Sequence, residues 1–338
     1  MNLYKILLLL TLKTDTLYSL SNGRDRQRYT PFSDIHLRCL APTLKKSGFF
    51  YAFDIAPIKD CNQWMRPKIT RYAVALAILL MACGENKPTI TRTDLQFGYF
   101  GSVGDQPQAT REHVNVFMDM QFAGEQYTID SIKYMATPVI LGIQYWMYNA
   151  DFQPKPNAEI NLRDYLTRLQ TAGALKYVTD VYPVDEPDVN KVTPADIKTT
   201  NDIIRRVFAE FGMAPRLNAI YGAQFTWPGI QYYDDVGFDN YSAGANIFVN
   251  GDYARLKGAL RPDQRIWLVP GGASPWKQDP KPFVDIANSD SQVRGIIAFV
   301  YFDSTDPTQG YGLGIRSNGM LPAYCRVGAT IAGKAIAC

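Results

Sequence analysis

Residues 182–188 read Tyr182-Pro183-Val184-Asp185-Glu186-Pro187-Asp188, and their chemistry lies in two adjacent carboxylates, Asp185 and Glu186. The run before them, residues 177–182, is rich in β-branched and aromatic side chains and is expected to be a strand. Pro187 has no backbone donor, so that strand cannot continue through it. The two acids are thereby placed at a strand end. Side by side, one ionised carboxylate raises the proton affinity of its neighbour, which is how a carboxylic acid stays protonated near neutral pH for general-acid work.

Exclusions narrow the chemistry further. After residue 64 the chain has a single histidine, His113, which precedes the second expected strand, at the end opposite the acids. A Ser-His-Asp triad and a histidine-rich metal site are therefore disfavoured. None of the expected strands contains a lysine, which argues against a Schiff-base enzyme. No Gly-X-Gly-X-X-Gly follows the first strand, so the usual dinucleotide signal is missing. No cofactor or metal is called for.

The elements that must hold the acids follow from alternating periods. Strands are expected at residues 95–100, 114–120, 138–146, 177–182, 216–221, 235–241, 265–270 and 295–302. Residues 108–113 read as a short polar connection. Helical spacing is seen at residues 125–135, 162–175, 194–211, 253–260 and 282–288, and Thr193-Pro194-Ala195-Asp196 has the form of a capped helix start. Between the fifth and sixth strands there is only an aromatic-rich loop around Trp227. Eight strands interleaved with helices predict an α/β chain folded as a single (β/α)₈ TIM barrel over residues 94–310, with residues 311–338 as a C-terminal tail packed on it. In such barrels chemistry is placed at the C-terminal strand ends. There the expected residues are Asp119, Gln144, Trp146, Tyr182, Asp185, Glu186, Tyr221, Asp239, Tyr241, Trp276, Tyr301 and Asp303, acids to move protons and flat rings on which a ligand can stack.

Asp185-Glu186-Pro187 at the end of a fourth strand resembles the motif of the (β/α)₈ glycoside hydrolases in which the Glu is the proton donor. The resemblance implies Glu186 as general acid, Asp185 or Asp239 as second carboxylate, and a carbohydrate substrate held by Tyr182, Gln144, Trp146, Tyr221, Tyr241, Trp276, Tyr301 and Asp303. The chain departs from the largest clan of that superfamily at strand seven, where a second Glu is expected and Trp267-Leu268-Val269-Pro270-Gly271-Gly272-Ala273-Ser274 offers no acid. The chain has six Glu, and Glu210, in a helix, is the only one after Glu186. Three readings stay open. Asp185 could orient a substrate N-acetyl group, as in the substrate-assisted hexosaminidases that Asp-Glu pairs resemble. Asp239 could be a nucleophile or a base for water, with carboxyl separations of roughly 5 Å and ~6.5–9.5 Å respectively. Or the cleft could bind glycan without hydrolysis, as an envelope scaffold. A competing site comes from Gly-rich loops at residues 270–274 and 310–314, where phosphate-binding barrels place backbone donors.

The N-terminal region carries a different signal. Arg66, Lys68 and Arg71 precede a short apolar run ending Leu80-Met81-Ala82-Cys83, which resembles a bacterial lipobox with Cys83 as the acylated residue. Residues 65–82 then read as a lipoprotein signal peptide, residues 83–93 as a tether, and residues 1–64 as upstream sequence with no assigned fold. The expected location is a bacterial cell envelope, lipid-anchored, with the protein a monomer. From residue 83 onward, 23 Lys and Arg face 27 acids, which removes the electrostatic basis for a nucleic-acid partner. Cys325 and Cys338 could pair in an oxidising compartment or stay as free thiols.

Overall fold

The computed structural model describes the backbone of residues 40–47 and 50–57, and all of residues 89–338. The chain divides into two compact units, Met1–Glu85 and Asn86–Cys338. In the first, β1 (Leu40–Ser47) pairs antiparallel with β2 (Phe50–Pro57), a structure not expected for a segment to which no fold was assigned. Phe50, Tyr51, Phe53 and Ile55 supply the β propensity that the composition of the whole segment hides. The lipobox-like residues and Cys83 lie outside the described residues.

The second unit is the expected (β/α)₈ barrel. Its strands are β3 (Gln96–Tyr99), β4 (Phe117–Asp119), β5 (Val139–Gly142), β6 (Val178–Tyr182), β7 (Arg216–Tyr221), β8 (Asp235–Phe238), β9 (Arg265–Leu268) and β10 (Val293–Ala298). They run parallel in the order β3-β10-β9-β8-β7-β6-β5-β4. Closure between β3 and β4 relies on a side chain. Asn115 N and Val116 N donate to Phe97 O at 3.1 and 3.3 Å, while Asn115 Oδ1 accepts from Phe97 N at 2.7 Å and its Nδ2 donates to Leu95 O at 3.0 Å. Asn115 thus stands in for a rung of the ladder.

Helices cover the outside: α1 (Gln106–Thr110), α2 (Glu125–Met135), α3 (Gln144–Met147), α4 (Ala158–Thr171), α5 (Pro194–Glu210), α6 (Asp252–Ala259), α7 (Lys281–Ser289) and α8 (Leu321–Ile331). None of the described helices is long and apolar enough to cross a membrane. As expected, Thr193 caps α5, its hydroxyl accepting from Asp196 N, and Gly212 ends the helix in the left-handed region at φ 70°. Residues 108–113 are not a simple connection but α1 and a 3-10 turn. The run at residues 138–146 leaves the sheet after Gly142, and α4 begins four residues earlier than its spacing suggested. Only a 3-10 turn, Ile230–Tyr232, separates β7 from β8.

Two layers of apolar packing result. Leu162, Leu166 and Leu169 of α4 and Ile197, Ile204 and Phe208 of α5 pack against outward residues such as Val181, Leu217 and Val236. Inside the ring, Met118, Ile140, Tyr182, Ile220, Trp267 and Ile297 fill the barrel. The indole of Trp267 fits because its flanking strands carry glycines there: a Cβ on Gly295 would lie 2.7 Å from Trp267 Cζ3, and one on Gly237 3.2 Å from its Cβ. The C-terminal segment is a helix, α8, against β3, and a disulfide joins Cys325 to Cys338.

Candidate active site

The path from sheet to site begins at Tyr182, the last residue of β6. Its ring is buried inside the barrel and its hydroxyl donates to Asp185 Oδ1 at 2.8 Å. Asp185 N donates to Gln144 Oε1 at 2.7 Å, and Asn190 Nδ2 donates to Asp185 O at 2.8 Å. The loop after β6 is therefore tied to the start of α3 and to itself. Glu186 sits in this loop at φ 38°, in the left-handed region a non-glycine residue adopts only when its surroundings impose it. Asn190 N, bonded to Glu186 O at 2.9 Å, and Gly222 N, bonded to Asp188 Oδ1 at 2.9 Å, supply that constraint. Across the mouth, Asp239 follows Phe238 at the end of β8, its backbone N–H bonded to Tyr221 O at 2.9 Å.

These elements place the Glu186 and Asp239 carboxyls and the Tyr241 side chain on one cleft, where each carboxyl acts on the other and Tyr241 acts on Asp239. Both acids reach solvent in part. Burial, then the charge of Asp185, pushes the Glu186 carboxyl up to about 7. Burial and the facing Glu186 charge raise Asp239 well above the usual carboxylate range. Burial likewise raises Asp185, opposed by the Tyr182 hydroxyl. The expected pressure of Asp185 on Glu186 is present, but burial is the larger cause. Two carboxyls that act on each other in this way titrate as a pair. Their mutual interaction lowers Glu186 and raises Asp239, while Tyr241 opposes the rise of Asp239.

The pair lies on the wall of a cleft of about 460 Å³ lined also by Asp185, Tyr241, Trp276, Phe100, Phe299 and Tyr311. Tyr241 stacks on Phe299 with centroids 4.9 Å apart and meets Trp276 at 4.7 Å, an aromatic surface flanking the acids. A second cavity of about 820 Å³ is lined by Gln144, Tyr145, Trp146, Gln121 and Lys155, and shares Asp185 and Phe122 with the first. The two form one groove across the barrel mouth. Trp146 is fixed in it, Nε1 donating to Gln121 Oε1 at 3.0 Å and its ring stacked on Tyr165 at 4.9 Å.

Of the residues expected at the site, Asp185, Glu186, Asp239, Gln144, Trp146, Tyr241 and Trp276 line this groove, and Tyr182 supports it from below. Tyr221, Tyr301 and Asp303 do not line it. Tyr221 points to the outer layer, where its hydroxyl donates to Pro228 O at 2.7 Å and its ring meets Trp227 and Tyr233. Tyr301 is buried against Tyr99. Asp303 holds the following segment, accepting from Gly314 N at 2.8 Å, Ser317 Oγ at 2.8 Å and Arg316 Nε at 3.2 Å. Asp119 is buried beneath the mouth, bonded to Thr128 Oγ1 and Gln121 N, and burial lifts it to about 6. Lining residues that the sequence reading passed over are Phe100, Phe122, Tyr145, Lys155, Phe299, Phe302 and Tyr311.

The first of the two Gly-rich loops offers no free backbone donor to a phosphate. A phosphate cradle needs free backbone N–H groups. Those of Gly271, Gly272, Ala273 and Ser274 are all taken, by Gln278 Oε1, Pro270 O, Phe299 O and Leu313 O, and Gly314 N is taken by Asp303. Among the described residues no group of three or more His, Cys, Asp or Glu is disposed to hold a metal ion.

No protein-family model and no curated protein matches the sequence. Among solved structures the chain is similar to a glycoside hydrolase family 17 β-1,3-glucanosyltransferase from Rhizomucor miehei, at 12% identity over 64% of this chain and 91% of that one, with a TM-score of 0.47. It is similar to a GH113 β-mannanase from Alicyclobacillus acidocaldarius, at 9% identity over 71% and 97% of the two chains and a TM-score of 0.46. A GH2 β-galacturonidase from Eisenbergiella tayi matches at 9% identity over 72% and 52%, with a TM-score of 0.48.

Proposed function

We propose that the barrel hydrolyses glycosidic bonds of a polysaccharide or glycoconjugate, with Glu186 protonating the leaving oxygen and Asp239 as the second carboxylate. The observation that carries this reading is that the Glu186 and Asp239 carboxyls line one cleft at the barrel mouth, beside an aromatic surface. A glycosidase needs one carboxyl protonated and the other ionised on either side of an anomeric carbon. Asp239 then acts as nucleophile or as the base for a water, and the anomeric configuration of the first-formed product, read by NMR, distinguishes retention from inversion. Asp185, tied to Tyr182 and Gln144, orients the loop and biases the proton on Glu186.

The lipobox-like Leu80-Met81-Ala82-Cys83 supports attachment through a lipid on Cys83 at a bacterial cell envelope. Lipid mass spectrometry of the native product tests that part, and an unmodified Cys83 overturns it.

The catalytic part is tested by reducing-end release from a glycan panel. Glu186→Gln and Asp239→Asn should each lower the rate by about 10²–10⁴. Binding by the wild type with no release on any glycan favours the second reading, a glycan-binding envelope protein on the same fold.

A further inference from the structure

The two halves of the groove differ in charge. The cleft holding Glu186 and Asp239 is lined by three carboxyls and no base, whereas the adjoining cavity has a cation, Lys155, beside two carboxyls, Glu125 and Asp185. Lys155 is held in place rather than trailing in solvent. Its backbone N–H donates to Met147 O at 2.8 Å, its ammonium donates to Tyr145 O at 2.6 Å, and the ammonium lies 4.7 Å from the centroid of the Tyr145 ring. Lys155 forms no ion pair with a carboxylate among the described residues.

The two acids that line the cavity are already engaged. Both oxygens of Glu125 accept from Arg168, at 2.5 and 3.0 Å, and Asp185 Oδ1 accepts from Tyr182. The amides of Gln144 and Asn149 also line the cavity, and the bonds they make to backbone N–H groups use their oxygens, which leaves their NH₂ groups as donors. An ammonium, two amide donors and the exposed Tyr145 ring form a surface that matches a ring bearing an anionic group.

We infer that this cavity is a subsite for an anionic sugar unit, one carrying a carboxylate or sulfate, and that Lys155 selects it. The inference rests on the glycan reading above and adds the substrate class: an acidic glycan whose charged unit lies on the Lys155 side of the scissile bond. Negative charge is disfavoured on the other side, where Asp185, Glu186 and Asp239 gather.

The test is binding, measured by calorimetry on the Glu186→Gln protein so that turnover does not interfere. The probes are tetragalacturonate and a sulfated carrageenan tetrasaccharide, against cellotetraose and laminaritetraose. At least one acidic probe should bind tenfold or more tightly than either neutral one, and which of the two does so names the anionic group. Lys155→Gln should remove that preference, weakening the acidic probe about tenfold and leaving neutral probes unchanged, and raised salt should act like the substitution. Equal binding of acidic and neutral probes, no binding of either acidic probe, or a Lys155→Gln effect common to all probes overturns the inference. An acidic glycan bound through Lys155 yet never cleaved by the wild type overturns the hydrolase reading alone.

Discussion

Gly222, just beyond β7, faces Glu186 so closely that a Cβ there would lie 3.1 Å from Oε1 of the acid and 2.4 Å from Val189 Cγ2. The glycine is the space in which the Glu186 carboxyl sits. Its own N–H pins Asp188, so the same residue fixes the loop and clears room for its side chain. Gly222→Ala should displace Glu186 from Asp239 while leaving the barrel folded. A fall in kcat of about a hundredfold with little change in KM is expected, since an ångström-scale misplacement of a reacting group costs on that order. Steady-state kinetics beside an unchanged circular-dichroism spectrum checks it, and unchanged kcat would refute the positioning role.

The carboxyl pair also sets a pH dependence. Glu186 is raised to about 7 and Asp239 is raised as well, so the folded state binds protons more tightly than the unfolded chain. The stability these groups contribute is therefore present at pH 4 and is lost as pH rises toward and through 7. Activity needs the proton on Glu186, so its alkaline limb should fall near pH 7. Glu186→Gln removes one charge from the pair and should raise Tm at pH 8 by roughly 2–4 °C, with little effect at pH 5. Differential scanning calorimetry at the two pH values decides it, and a Tm change equal at both would rule it out.

The barrel was legible because its strands and helices have different periods, and the misses trace to places where period is ambiguous. A continuous apolar run does not distinguish a strand from a buried turn of helix, which is why residues 144–146 were read into β5 although Gln144–Met147 is helical. Tyr221 was assigned to the mouth by its place at a strand end, but neighbouring residues on a strand face opposite sides. Ile220 points inward, so Tyr221 points outward; Phe238 points outward, so Asp239 points inward. Applied residue by residue, the same alternation separates the correct assignment from the incorrect one. The C-terminal helix had its signal in Tyr324, Val327, Gly328 and Ile331, a buried stripe at helical spacing. Lys155 had none, because a lone lysine in a loop belongs to no period and becomes informative only once Tyr145 and Gln144 are placed around it.

The disulfide between Cys325 and Cys338 ties the chain terminus to α8, with 13 residues of sequence separation. Closing a loop of that size limits the unfolded chain and contributes about 3 kcal/mol in the entropic account. Reduction should lower the urea midpoint correspondingly while leaving glycan binding intact, because neither cysteine lines the groove. Urea denaturation with and without reductant measures this, and an identical midpoint would count against the bond in solution.

At the end of the barrel opposite the groove, Arg294 reaches two fully buried carboxylates, Asp180 on β6 and Asp235 on β8, and lies 5.2 Å from the Trp267 ring centroid. Arg216 adds a second guanidinium to Asp235, Nε at 3.0 and 2.9 Å from its two oxygens. Burial raises the Asp180 carboxyl, and Arg294 opposes it. Taking Arg294 away leaves Asp180 with no bonded cation and close to the Asp235 charge, since Arg216 bonds only the latter. Breaking a buried ion pair from one side costs about 3–5 kcal/mol, so Arg294→Met should lower stability by that order. Because the deficit comes from an ionised Asp180, it should grow as pH rises and shrink as the carboxyl takes up a proton. Adding Asp180→Asn to Arg294→Met should recover part of the loss at pH 8 and less at pH 4. Urea unfolding of the single and double variants at both pH values measures the coupling, and additive effects with no pH dependence would show that the network does not act as one unit.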